Sequence, residues 1–217
     1  MIDKSFDSEN LSGESFEDDA ETKNQSDKEK RKNKKGEENE KSQIKNFNLI
    51  KSISQILLTI IEDNKKLSNY KEIIKSQKNM VFSSNSIPSI SLNDYLIRIQ
   101  TYSEIEKSTL IISLILIDHI CKKAQLILTY HNIHRILFGA ILISIKYNED
   151  TFYGNNYYAE IAGVKLNELN SIEYNFILLC NYQMFVSDET FKQYNDYLIS
   201  SSEIKKGISS VKEEFWI

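Results

Sequence analysis

Two stretches of this 217-residue chain are apolar almost without a break: Leu110–Ile117, interrupted by Ser113, and Ile136–Ile145, interrupted by Gly139 and Ser144. Both fall well short of the ~20 residues that a membrane-spanning helix needs. They read instead as helices buried on most sides, and the segments around them carry helical spacing. Phe47, Ile50, Ile53, Ile56/Leu57 and Ile60/Ile61 predict an amphipathic helix over about 46–64. A polar stretch to Lys78 and a loop ending Ile87-Pro-Ser-Ile90 follow. Ser91 with Asp94 has the form of a capping box opening a helix to about Thr101, and Ser103 with Glu106 repeats it before a helix to about Lys122. Further helices are expected over about 131–148, 156–162 (stopped by Gly163), 166–181 and 188–200, with a loose one in 201–217. The expectation is an all-α bundle around a central helical hairpin.

Composition removes several alternatives. The chain has 32 Ile, 24 Lys and 20 Asn, against 6 Gly, 5 Ala, 3 Arg and 1 Pro. One Pro and so few Gly argue against a turn-rich all-β fold. Gly at 13, 36, 139, 154, 163 and 207 cannot form a phosphate-cradling loop. Two Cys and three His leave little for a disulfide framework or a zinc site, and no metal or cofactor is expected. Cys121 and Cys180 sit inside apolar runs, as reduced thiols of an intracellular protein would. The excess of Lys over Arg looks like coding bias, so a surviving Arg suggests a need for the guanidinium fork.

Charge divides the chain. Residues 1–21 hold eight acids and one Lys, residues 22–43 hold eight basic residues and five acids, and residues 44–217 hold 18 of each sign. The first 43 residues lack Val, Tyr and Trp. Such a segment buries too little apolar surface to offset chain entropy, and disorder is expected there. It is acidic and has no apolar core of the kind a secretory signal carries. The domain reading is a charged tail over 1–43, a helix and linker over 44–90, a core over 91–187, and a helix and tail over 188–217.

Four charges lie where a bundle should be dry. Lys146 follows the second apolar run; Glu173 lies on the stripe Leu169–Glu173–Phe176–Cys180; Asp118 lies on Leu114–Ile115–Asp118–Cys121; Arg98 shares a helix with Leu92, Tyr95, Leu96 and Ile99. Isolated buried charges cost several kcal/mol, so such groups are paired or used. Two acids and two bases on four helices suggest two inter-helix pairs. The plainer alternative has Lys146 snorkelling from a helix end and Glu173 facing water.

The run His134-Arg135-Ile-Leu, then Lys146-Tyr-Asn-Glu-Asp150, Asn155, Tyr158-Ala159, Gly163 and Glu168-Leu-Asn-x-x-Glu173 resembles the single-box P/U-type cyclins. Phe82, Pro88-Ser-Ile-Ser-Leu-x-x-Tyr95-Leu-x-Arg98-Ile and Ile117-Asp118 fit the same pattern, so the resemblance spans about 47–198. It implies a cyclin box of five helices, with an added N-terminal helix and a short C-terminal one. It implies a structural ion pair between Arg98 and Asp118, a second pair between Lys146 and Glu173 at the kinase-gripping face, and a kinase-binding set of Lys146, Tyr147, Asp150, Leu169 and Glu173. The partner implied is a cyclin-dependent kinase, activated when the cyclin holds its C-helix inward, in cell-cycle or nutrient-linked regulation. Asp150 would face the arginines that otherwise hold an activation-loop phosphate; a solvated loop acid is the alternative.

The pattern has departures. Ser144 stands for the usual Ala, His119 for Arg, Glu160 for Lys and Ala162 for the first of two Gly. No second box fits after residue 200, which puts the substrate-docking patch of larger cyclins in doubt. A scaffold that binds a kinase or transcription complex without activating it is the competing function. No small-molecule substrate, membrane contact or enzyme activity of its own is expected, and a charge-neutral domain argues against direct nucleic-acid binding. His131, His134 and Cys121 do not amount to a zinc set. The aromatic group Phe152, Tyr153, Tyr157 and Tyr158 reads as packing. Lys28–Lys35 has the composition of a nuclear-import signal or of a solvated linker, and nucleus or cytoplasm is the expected location. The three Arg are followed at +3 by Lys34, Thr101 and Phe138, and Lys-Glu-Asn does not occur, so timed degradation through an Arg-x-x-Leu or Lys-Glu-Asn signal is not expected.

Overall fold

A computed structural model describes residues 47–204; the charged stretches before and the expected helix after them lie outside the described residues. Among these residues the regular structure is all helical. Helix α1 covers 47–64, α2 Tyr70–Gln77, α3 Leu92–Ser103, α4 Lys107–Ala124, α5 Ile133–Asn148, α6 Asn155–Ala162, α7 Leu166–Leu179 and α8 Asp188–Ile204.

The two apolar runs form the centre. Nearly every residue of α5 from Ile133 to Ile145 is buried, and α4 is buried from Thr109 to Asp118 except for Ile112. These helices pack on each other as an antiparallel hairpin. Around it, α7 covers α5, α6 covers α3 and α7, and α8 lies along α4. Helix α1 buries Ile50, Ile53, Leu57 and Ile61 of the stripe its spacing predicts, while Phe47, the first member expected, is exposed in the helix's first turn. Its C-terminal end is tied to the α4–α5 connection by Asn64 Nδ2 donating to the Leu128 carbonyl (3.0 Å) and by the Tyr130 hydroxyl donating to Glu62 (2.7 Å). The linker buries Phe82, whose ring meets Phe176 edge-on at 6.2 Å.

Ser91 caps α3 as expected: its Oγ accepts from the Asp94 N–H (3.1 Å) and donates to the Asp94 carboxylate (2.7 Å). The second expected cap is corrected. Ser103 is the buried last residue of α3, and α4 starts behind Glu106 with no side-chain cap. Between them Glu104 turns left-handed (φ 49°), returning its N–H to the Gln100 carbonyl. Gln100 Nε2 then holds the Ile105 carbonyl at 2.9 Å, and Ile105 is buried. The turn is thus fixed by a buried apolar residue rather than by a cap. Helix α2 lies within the stretch read as polar; Tyr70, Ile73 and Ile74 stand at helical spacing there and are partly buried, and Gln77 is its one buried residue. Gly163 ends α6 at φ 70°, where glycine carries no Cβ penalty.

At Gly139 α5 packs tightly on α7: a Cβ there would sit 2.9 Å from Ile172 Cγ2 and 3.1 Å from Phe176 Cδ2. Gly139→Ala gains about 1 kcal/mol of helix propensity but overpacks at a cost of about 1–3 kcal/mol. The expected net is a lower urea midpoint at unchanged slope; a raised midpoint would mean that the two helices part freely.

Candidate functional site

Burial along α5 sets the problem that its last turn must solve. Ser144 and Ile145 are fully enclosed, and Lys146 then emerges between α5 and α7 with 27% of its side chain exposed. Lys146 Nζ donates to Glu173 Oε1 at 2.6 Å, and the Glu173 side chain is 17% exposed. The other carboxylate oxygen accepts from Asn155 Nδ2 at 2.7 Å. Asn155 also reaches Asn170 Oδ1 (2.8 Å), so the first residue of α6 is bonded to α7 twice. Both oxygens of Glu173 are therefore engaged, one by a cation and one by an amide, which is the condition for keeping a half-buried carboxylate charged.

Exposed side chains with apolar area stand next to this pair in the chain. Tyr147 follows Lys146 at the end of α5, Tyr174 follows Glu173, and Leu178 lies one turn further along α7; all three are exposed. Asp150 is exposed just beyond α5 and makes no hydrogen bond among the described residues. Leu169, expected on the binding face, is corrected: it is fully buried against the core, because its place on α7 points toward α5.

The Arg98–Asp118 pair is also corrected. Arg98 is exposed, and its Nη2 donates to the Glu160 carbonyl at 2.9 Å, satisfying a helix-end carbonyl near the negative pole of α6. Asp118 faces the other way, toward α8. Its Oδ2 accepts from the Tyr194 hydroxyl at 2.7 Å and lies 3.2 Å from Lys122 Nζ. The two residues sit on helices whose partners lie on different sides of the bundle. Burial, and then the bond to Asp118, hold the Tyr194 phenol far above its ordinary range. Tyr194 stands on an apolar stripe in the sequence; its hydroxyl, which needs a partner when buried, is the signal that it meets an acceptor.

One arm of the fork expected of Arg135 is used: its Nη2 donates to Glu168, joining α5 to the first turn of α7, while its Nε and Nη1 are buried with no hydrogen-bond partner among the described residues. Beside it His134 is buried, its ring 5.0 Å from that of Tyr95 and its Nε2 3.2 Å from the Ile90 carbonyl. Burial keeps His134 below the usual histidine range. Burial likewise raises the thiols of Cys121 to about 12 and Cys180 to about 11, so neither is a nucleophile at neutral pH.

A cyclin family model matches residues 16–184 of the chain. PHO85 cyclin-like protein psl1 of Schizosaccharomyces pombe is 32% identical over 177 residues, covering 76% of this chain and 73% of the relative. Cyclin-U4-3 of Arabidopsis thaliana is 30% identical over 151 residues, covering 69% of this chain and 66% of the relative. PHO85 cyclin-7 of Saccharomyces cerevisiae is 29% identical over 189 residues, covering 75% and 66%.

Truncating Glu173 to Ala leaves a cation and an amide without their acceptor, and is expected to cost about 1–3 kcal/mol. A double-mutant cycle with Lys146→Ala should return a coupling of about 1 kcal/mol or more. A coupling near zero would place both groups in solvent.

Proposed function

The chain belongs to the cyclin family, and from that premise we propose that it is the regulatory subunit of a cyclin-dependent protein kinase, contributing no catalytic group of its own. The observation that carries this reading is the Lys146–Glu173 pair, held at 2.6 Å and bordered by exposed Tyr147, Tyr174 and Leu178. A charged pair locked by its own hydrogen bonds offers a partner a fixed geometry, and the exposed side chains around it offer apolar area to bury.

Activation follows from differential affinity. A kinase whose C-helix swings between two positions is shifted toward the one the cyclin binds better, and by no more than the difference in the two affinities. In the inward position the kinase's own Lys–Glu pair forms and ATP phosphates are aligned. Asp150, exposed four residues beyond Lys146, is placed by this reading opposite arginines that a phosphate would otherwise occupy. The cellular setting that goes with the reading is cell-cycle or nutrient-linked control.

The test is recovery of kinase from lysate on the tagged chain, followed by phosphorylation of histone. Lys146→Ala and Glu173→Ala, each checked for native helix content, are expected to lose about tenfold or more in recovery. Undiminished recovery and activity with both variants would remove the interface assignment. Adding purified chain to the recovered kinase should raise histone phosphorylation; binding without a rise would make the protein a scaffold.

A further inference from the structure

Residues 44–217 hold 18 charges of each sign, yet residues 65–78 hold five Lys against one Glu. Two of the five are answered locally: Lys65 Nζ meets Glu62 at 3.0 Å, and Lys66 Nζ meets Asp63 at 2.6 Å. The other three, Lys71, Lys75 and Lys78, are exposed and form no ion pair among the described residues. Lys78 keeps helical backbone angles (φ −58°, ψ −34°) at the end of α2. The three ammonium stems therefore rise from about 60° of helix arc, along about 10 Å of its length. Glu72, the one acid of the stretch, is exposed and pairs with none of them. The inner side of α2 is turned to the bundle, with Tyr70, Ile73 and Ile74 partly buried and Gln77 buried. With its amide oriented to satisfy both groups, Gln77 accepts from the Ile127 N–H (3.0 Å) and donates to the Ile127 carbonyl (3.1 Å). That anchors α2 to the α4–α5 connection, while Lys146 stands at the far end of α5, about 20 Å of helix away.

We propose that the outer face of α2 docks an acidic peptide segment carried by substrates of the bound kinase. An extended peptide presents side chains to one side about every 7 Å. Lys71, Lys75 and Lys78 are separated along the helix axis by about 6 and 4.5 Å, and their flexible stems take up the difference. Exposed ion pairs are individually weak, so recognition here comes from three cations in register and tolerates variation in the acidic sequence. A lipid surface fits less well. A helix lying in a membrane interface sinks its apolar face among the acyl chains, and that face of α2 is already against the bundle. A kinase seated on the Lys146–Glu173 face leaves α2 uncovered, so both surfaces are engaged at once and a substrate is held at a second point. That the peptide belongs to a kinase substrate rests on the functional reading above; the preference of the stripe for carboxylates does not.

The experiment titrates the full chain with octa-glutamate peptide, and separately with a Gly-Ser peptide of equal length, while amide resonances are followed by NMR. The acidic peptide is expected to shift residues 69–79 saturably, and less tightly as salt rises; the Gly-Ser peptide should shift nothing. A chain carrying Lys71→Gln, Lys75→Gln and Lys78→Gln should bind about tenfold more weakly. Lys and Gln have similar helix propensity, so α2 is retained. A chain carrying Lys51→Gln, Lys165→Gln and Lys192→Gln loses as much charge elsewhere and should bind as the native chain does. No saturable shift in α2, or equal weakening in the two triple variants, overturns the proposal. Tighter binding of phosphatidylserine vesicles or of a single-stranded oligonucleotide than of the peptide overturns the peptide assignment. Tighter peptide binding after the eight acids of residues 1–21 are changed to Asn and Gln would assign the stripe to the chain's own segment and overturn the partner assignment. On the kinase side, the α2 triple variant should recover kinase in full. It should raise KM several-fold for a substrate peptide bearing a Glu tail, with kcat unchanged and the untailed peptide unaffected. An unchanged KM overturns the substrate role. Failure of the native chain to recover kinase overturns the kinase reading, while the titration still decides the stripe.

Discussion

The carboxylate of Glu173 holds three helices at once. It accepts from Lys146 on α5 and Asn155 on α6 while standing on α7. Because α5 is dry up to Ile145, Lys146 meets water only in part, and its charge has to be answered within the bundle. The answer fixes where the last turn of α5 sits relative to α7, and with it the directions of Tyr147 and Tyr174. A binding face built in this way needs little ordering when a partner arrives, and preorganisation of that kind is where affinity is gained.

The same rule explains the other polar intrusions. Asp118 enters the core of α4 and is met by a phenol from α8. Arg135 leaves α5 and is met by Glu168. Asn132, buried ahead of α5, accepts from the Thr129 N–H at 2.7 Å and donates to the Ile127 carbonyl at 2.9 Å. The Asp118 and Arg135 bonds join helices that the apolar core alone would leave free to slide, since burial is not directional, while Asn132 fixes the turn of the α4–α5 connection itself. His119 shows the limit of substituting for a familiar arginine: burial, and then nearby Lys123, push it below the usual histidine range, so it supplies little positive charge at neutral pH.

Much of the fold is readable from apolar spacing, because buried stripes repeat with the helix period: α1, the central hairpin and α7 all appear where their stripes stand. Helix α2 is easily passed over, since its stripe is only Tyr70, Ile73 and Ile74 within a segment that is polar on average. The start of α4 is misleading because Ser103-x-x-Glu106 has the letters of a cap, while burial of Ile105 decides where the chain turns. Charges in stripes correctly announce that partners exist, and the family resemblance names Glu173 for Lys146. It fails for Arg98 and Asp118, because an arginine can be satisfied by a helix-end carbonyl and a carboxylate by a neutral phenol, neither of which leaves a charge pattern, while the Lys122 contact of Asp118 lies one turn on in its own helix. Leu169 shows the remaining ambiguity: the same spacing that puts Glu173 at the edge of α7 puts Leu169 inside it.

The central claim is that the partner sits on the surface organised by Lys146 and Glu173. Hydrogen–deuterium exchange of the chain, alone and with recovered kinase, reads that surface directly. The account predicts new protection at the end of α5 and the loop after it (145–154) and along α7 (170–179), with α2 and the outer side of α8 unchanged. Protection confined to α2 or α8, with 145–154 and 170–179 exchanging as in the free chain, would contradict it.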